Sequence, residues 1–138
     1  MPTTRAVIVS DHCRPPYYGE IQCERHALVA DEPLDRGGLD AGPSPFAYLL
    51  ASLGACTAIA LRRHCERRSW PIERVMVTLQ MVGAPRSMQV VRVVHVLGDL
   101  TDAQRMRLAA VCERTPVTLA LNGGIRIRTQ LIVQRLAL

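Results

Sequence analysis

The chain contains no lysine: all 17 of its basic residues are arginines. They run from Arg5 to Arg135 with no concentration on one element, and the densest group (Arg62, Arg63, Arg67 and Arg68) is interrupted by Glu66. Such a spread reflects genomic composition bias rather than arginine-specific recognition. Aromatic residues are almost as scarce, at 4% of 138 residues, and Trp70 is the only one beside the arginine group. Nucleic-acid-binding surfaces interleave concentrated basic residues with aromatic stacking platforms, so the net charge of +5 does not indicate a nucleic-acid partner. With few aromatics, any core must be built from Val, Leu, Ile and Ala. That aliphatic content excludes both a disordered and a collagenous chain.

Other absences narrow the chemistry. The five cysteines are odd in number and show no paired spacing, so a secreted disulfide framework is not expected and reduced thiols are. MPTTRAVIVS lacks the basic start and apolar stretch of a signal peptide, which predicts a cytoplasmic protein. There is no phosphate-binding loop, dinucleotide fingerprint, GxSxG elbow or HExxH motif. Neighbouring His12-Cys13 and His64-Cys65 point in different directions on a strand or helix and chelate poorly, so neither a metal nor a cofactor is expected. At 138 residues the chain reads as one domain, residues 1–138, able to bury roughly two thirds of its unfolded surface.

What the chain does have is a run from Phe46 to Leu61 almost free of polar side chains, with Cys56 inside it. It is shorter than the roughly 20 residues that span a bilayer, and Ser52, Gly54 and Thr57 dilute it, so a core helix is expected rather than a membrane span. Ser44 or Gly42 caps this helix, Pro45 fits its first turn, and Pro71 closes it after about Ser69. Upstream, Arg5 to Ser10 and about Tyr18 to Ala30 read as strands around a Pro15-Pro16 turn. Asp31 to Pro45 is rich in Gly and Pro and reads as a loop. Downstream, Val75 to Met81 alternates as a half-buried strand, and Met88 to Leu97 is its hairpin partner. Thr101 and Gln104 form a capping box for a helix to about Arg114, and Thr115-Pro116 opens a short helix that Asn122-Gly123-Gly124 ends. Ile125 to Val133 alternates as a last strand. The order is that of an α+β fold. The long helix is apolar on more than one side, which predicts a homodimer sandwiching two such helices, or else a monomer with a second sheet face.

Leu49, Leu53, Cys56 and Ala60 share one helix face, so Cys56 is expected to look into an apolar groove. Leu108, Cys112 and Thr115 share a face of the next helix; if the two faces meet, Cys112 is the natural partner for Cys56. A thiol buried in hydrocarbon is inert unless something activates it, because desolvation disfavours the thiolate. Cys13, Cys23 and Cys65 read as packing residues.

The stretch ADEPLDRGGLDAGPSPFAYLLASLGACTAIALRRHCERRSWPIERVMVTLQ, Ala30 to Gln80, resembles the osmotically inducible protein C and organic hydroperoxide resistance (OsmC/Ohr) family. So does GDLTDAQRMRLAAVCERTPVTLALNGGIRIRT, Gly98 to Thr129, and His26 stands where many members have a histidine. The resemblance implies an intertwined homodimer, with antiparallel sheets wrapped around a long apolar central helix. It also implies thiol-dependent reduction of hydrophobic organic hydroperoxides in oxidative stress defence. Cys56 would attack the peroxide, a second cysteine would condense with the sulfenic acid, and a dithiol reductant would restore the pair. Departures from the family's pattern are also visible. Thr115 occupies the place of the second cysteine, which leaves Cys112 as the candidate resolving thiol. Phe46-Ala47 stands where members often carry a glutamate, and Arg14 and Arg36 are the candidate activating arginines. The alternative reading is a catalytically weak dimer of the same family that binds an apolar ligand or serves another stress role.

Overall fold

A computed structural model describes residues 6–13 and 17–136, and its elements follow the chain as two antiparallel sheets with helices between and after them. The first sheet joins β1 (Val7–Asp11), β2 (Gly19–Cys23) and β3 (His26–Ala30) in that spatial order. The expected strand from Tyr18 to Ala30 is thus two strands. Cys23 pairs with His26 across a two-residue turn, and Glu24 adopts φ 55° there. No Gly, Pro or Asn marks this turn. The left-handed backbone falls on a glutamate, whose carbonyl accepts a 2.7 Å bond from Gln22 Nε2. The start of the expected first strand at Arg5, and the Pro15-Pro16 turn, lie outside the described residues.

The loop that follows is closed by Asp31. Its buried carboxylate accepts N–H bonds from Glu32 (2.8 Å), Leu39 and Ala41 (both 3.2 Å). Burial alone would raise its pKa, but the backbone donors of Ala41, Glu32 and Leu39 together outweigh it and hold the carboxyl below its ordinary value. A short 3-10 turn at Leu34–Arg36 breaks what the sequence reads as continuous loop. Gly38 is obligatory, since a Cβ there would sit 1.8 Å from the Glu32 carbonyl oxygen.

Helix α1 runs Pro45–Arg68 with Ser44 as its N-cap, the Ser44 hydroxyl accepting from Ala47 N at 3.2 Å. At 24 residues, about 36 Å, it is long and apolar enough to cross a membrane by length and composition alone, although its second half carries the charged Arg62 to Arg68 segment. It packs instead as the core helix. Leu53, Gly54, Thr57, Leu61 and Cys65 form its buried face, which contacts β4 (Ile72–Val82), the strand paired with β5 (Gln89–Gly98). The approach is close: a Cβ on Gly54 would lie 2.7 Å from Leu79 Cδ1. Both strands begin or end within a few residues of the sequence expectation, and a register shift between Ile72 and Arg74 marks a bulge.

The capping box of Thr101 and Gln104 opens α2 (Asp102–Cys112), and Thr115 caps α3 (Pro116–Gly123) with Pro116 in its first turn. Leu61, Cys65, Leu108 and Cys112 form the buried core, with Trp70, Ile72, Val75, Val94 and Val96 packed around it. The expected last strand is absent. Residues 125–136 form no strand, and Ile127, Leu131, Ile132 and Val133 are all more than two thirds exposed. The alternation is present, but among the described residues no strand edge takes up its hydrogen bonds.

Candidate functional site

Cys56 lies on α1 and is partly exposed. At about 100° of rotation per residue it stands about 140° around the helix from Leu61 and opposite Cys65. Cys112, by contrast, packs with Leu61, Cys65 and Leu108. The core face of α1 is therefore the one that meets α2, and it carries Cys65 rather than Cys56. All five cysteines are unpaired. Burial holds the Cys112 thiol above its ordinary pKa against the pull of Arg92, with Glu113 adding to the rise. Burial raises Cys65 too, partly offset by Arg68.

A groove of about 680 Å³ lies beside α1. Its apolar side is formed by Phe46, Leu49 and Leu53 from the helix, Met81 and Val90 from the sheet, Met88 from the turn before β5 and Leu121 from α3, and its polar side by Gln89, Arg92, Glu113, Thr118 and Asn122. Leu49 and Leu53 belong to the same stripe as Cys56, so the groove runs along the turns just before the thiol. Cys56 itself is not among its lining residues.

At one side of this groove sits Arg92, a residue that the sequence reading passed over. Its side chain is only 12% exposed. Nη1 donates to Thr57 Oγ1 (3.0 Å) and Thr118 Oγ1 (2.8 Å), and Nη2 donates to the Cys112 carbonyl (2.9 Å). One guanidinium thus ties α1, the end of α2 and α3 together, one residue along the helix from Cys56. A signal was available: in the alternation of β5, Arg92 shares its phase with the inward Val90, Val94 and Val96. An arginine in that phase is a buried charge, which is rare without a purpose.

Thr115 is 2% exposed, and its hydroxyl serves α3. It accepts from Thr118 N at 3.3 Å and lies 2.6 Å from Thr118 Oγ1. Thr115 thus serves as the N-cap of α3. Ala47 is exposed in the first turn of α1, which carries no acidic residue. Arg36 lines a separate cavity with Asp31, Tyr17 and Pro45, and Arg14 lies outside the described residues. His26 is exposed on β3. Among the described residues no group of three His, Cys, Asp or Glu side chains gathers as metal ligands would.

Solved structures share this architecture. An OsmC-like protein from Mycoplasma pneumoniae superposes with a TM-score of 0.75 at 13% identity, over 89% of this chain and 90% of that one. An organic hydroperoxide resistance protein OsmC from Legionella pneumophila gives 0.63 at 20%, over 88% and 93%. The organic hydroperoxide resistance protein OhrB of Bacillus subtilis gives 0.58 at 17%, over 86% and 90%. At these identities the likeness establishes the fold. No protein of curated function matches the chain by sequence. The OsmC-like protein family profile, however, matches residues 37–130, which include the long helix, the β4–β5 hairpin and both C-terminal helices, and the chain belongs to that family.

Proposed function

We propose that this protein reduces hydrophobic organic hydroperoxides with Cys56 as the attacking thiol. The observation that carries the reading is the apolar groove leading along α1 toward a partly exposed cysteine in a chain of the OsmC-like family. The Cys56 thiolate attacks the terminal peroxide oxygen, the O–O bond breaks, and the departing alkoxide takes a proton to leave as an alcohol. Cys56 is left as a sulfenic acid. A second thiol condenses with it, forming a disulfide and releasing water, and a dithiol reductant returns both sulfurs to thiols. Hydrocarbon walls favour an alkyl chain over hydrogen peroxide, which has none to bury.

Cys112 is the candidate second thiol within the chain. Its burial with Cys65 means that α2 must shift before it meets Cys56, and an added small thiol reaching the open side of α1 is the competing route. The protein acts as a homodimer in this reading, because the apolar side chains of β1 and of residues 125–136 have no cover in one chain. A chemistry that cycles through thiols also fits a reducing cytoplasm.

Cys56→Ser is expected to abolish cumene hydroperoxide consumption in the presence of dithiothreitol; unchanged consumption would remove the enzyme reading. After one equivalent of peroxide, mass spectrometry should find a Cys56–Cys112 link, whereas a lasting sulfenic acid or a mixed disulfide would reject Cys112. One observation favours the alternative of a weakly catalytic, ligand-binding relative: Thr115 fills the second-cysteine place with a hydroxyl committed to capping α3.

A further inference from the structure

Arg92 carries a charge that its surroundings leave largely uncompensated. Its hydrogen bonds go to two hydroxyls and one carbonyl, all formally neutral. The carbonyl ends α2, and a helix C-terminus supplies about half an elementary charge of the opposite sign at most. Among the described residues the carboxylate paired with it is Glu113, which stands 3.6 Å away and is 72% exposed, where water screens it. The bonds formed among the described residues leave Nε–H and one Nη2–H of the guanidinium uncommitted. A mostly buried cation is costly unless an anion joins it.

That cation borders a groove with one hydrocarbon side and one polar side, where Gln89, Glu113, Thr118 and Asn122 stand with it. A volume of about 680 Å³ is in the range that takes a small organic ligand. An apolar side for the chain, facing a polar side on which Arg92 is the one cation, matches a molecule with an alkyl chain and a single oxyanion at its end. We infer that Arg92 is a specificity-determining residue: it anchors the carboxylate of an alkyl carboxylate whose chain lies along Phe46, Leu49 and Leu53. The fork of a guanidinium suits a carboxylate better than a point charge does, because two parallel N–H bonds fix its orientation. The inference rests on the hydroperoxide reading only for what becomes of the ligand, since the anchoring itself requires no turnover.

The test is calorimetric titration of the Cys56→Ser protein with octanoate and with 1-octanol, equal in chain length and different in charge. Octanoate should bind about tenfold tighter or better, the equivalent of one charge-assisted hydrogen bond. Arg92→Gln should bring the two affinities together while 1-octanol still binds, which shows the groove intact. Should Arg92→Gln fail to fold, titration of the same Cys56→Ser protein with octylammonium, of equal chain length and opposite charge, carries the test: it should bind more weakly than 1-octanol, and binding as tight as that of octanoate would overturn the inference. Equal affinities before substitution, a preference that survives Arg92→Gln, or no binding of either compound because a second copy of the chain fills the groove would each overturn the inference. Because the serine variant cannot turn over, these results are independent of whether Cys56 is a peroxidatic thiol.

Discussion

The two sheets of this protein use similar residues to opposite ends. In β4–β5 one face rests on α1 and the valines of β5 alternate between half-buried and exposed, whereas β1 is exposed at every position, with Val7, Ile8 and Val9 each more than half open. The first sheet reaches α1 through a 2.6 Å bond from the Tyr48 hydroxyl to the Val29 carbonyl. Residues 125–136 resemble β1 in this respect, since their apolar side chains Ile125, Ile127, Leu131, Ile132 and Val133 are also uncovered. One face of the β4–β5 hairpin thus finds cover within the chain, whereas its outer face, with Val91 and Val93, and the whole of β1 do not. The difference teaches that an apolar pattern specifies burial without specifying which chain supplies the cover.

This contrast can be broken at its strong end first. Leu61 is fully buried, and Leu61→Ala should cost about 2–5 kcal/mol in urea unfolding, by an amount that does not vary with protein concentration. Val9→Ala should behave in the opposite way. Val9 is 61% exposed in the single chain, so the substitution should leave a monomer untouched and raise the dissociation constant of a dimer, read by analytical ultracentrifugation. An effect of Val9→Ala at all dilutions alike would show that the first sheet does not rest on a second copy.

Two further predictions concern titration within each half. In the first, Asp31 has a folded pKa below its unfolded value near 3.8, so its contribution is complete above that value and is lost as pH falls through the folded one. Asp31→Asn should flatten that part of the acid unfolding curve. In the second, burial lowers the pKa of His64 and the charges of Arg68, Arg107 and Arg67 lower it further. The unfolded chain then binds more protons than the folded one just below pH 6.5, so stability should rise with pH up to about that value. His64→Gln should remove this slope, a small effect visible in thermal melts across pH.

Local chemistry made much of the fold legible from sequence. Ser44, Thr101 with Gln104, and Thr115 with Pro116 act on backbone groups within a few residues of themselves, so their helices begin where the sequence says. What escaped reading depends on partners distant in sequence or on unmarked geometry. The Glu24 turn lacks a turn residue, and the strand expected at Ile125 to Val133 needs an edge that this chain does not offer it. Cys56 is a candidate in sequence because a thiol stands out in a greasy run. Arg92 was missed because it is one arginine among 17, and only its phase within β5 and its meeting with Thr57, Thr118 and Cys112 set it apart.

The contact at Gly54 bears on chemistry it does not touch. With no side chain to hold the helix off Leu79, α1 lies against the sheet at one rotational setting, and two residues later the chain has turned by about 200°. The smallest residue in the helix therefore works as a sight: by fixing which side of α1 lies on the sheet, it aims the sulfur of Cys56 away from it.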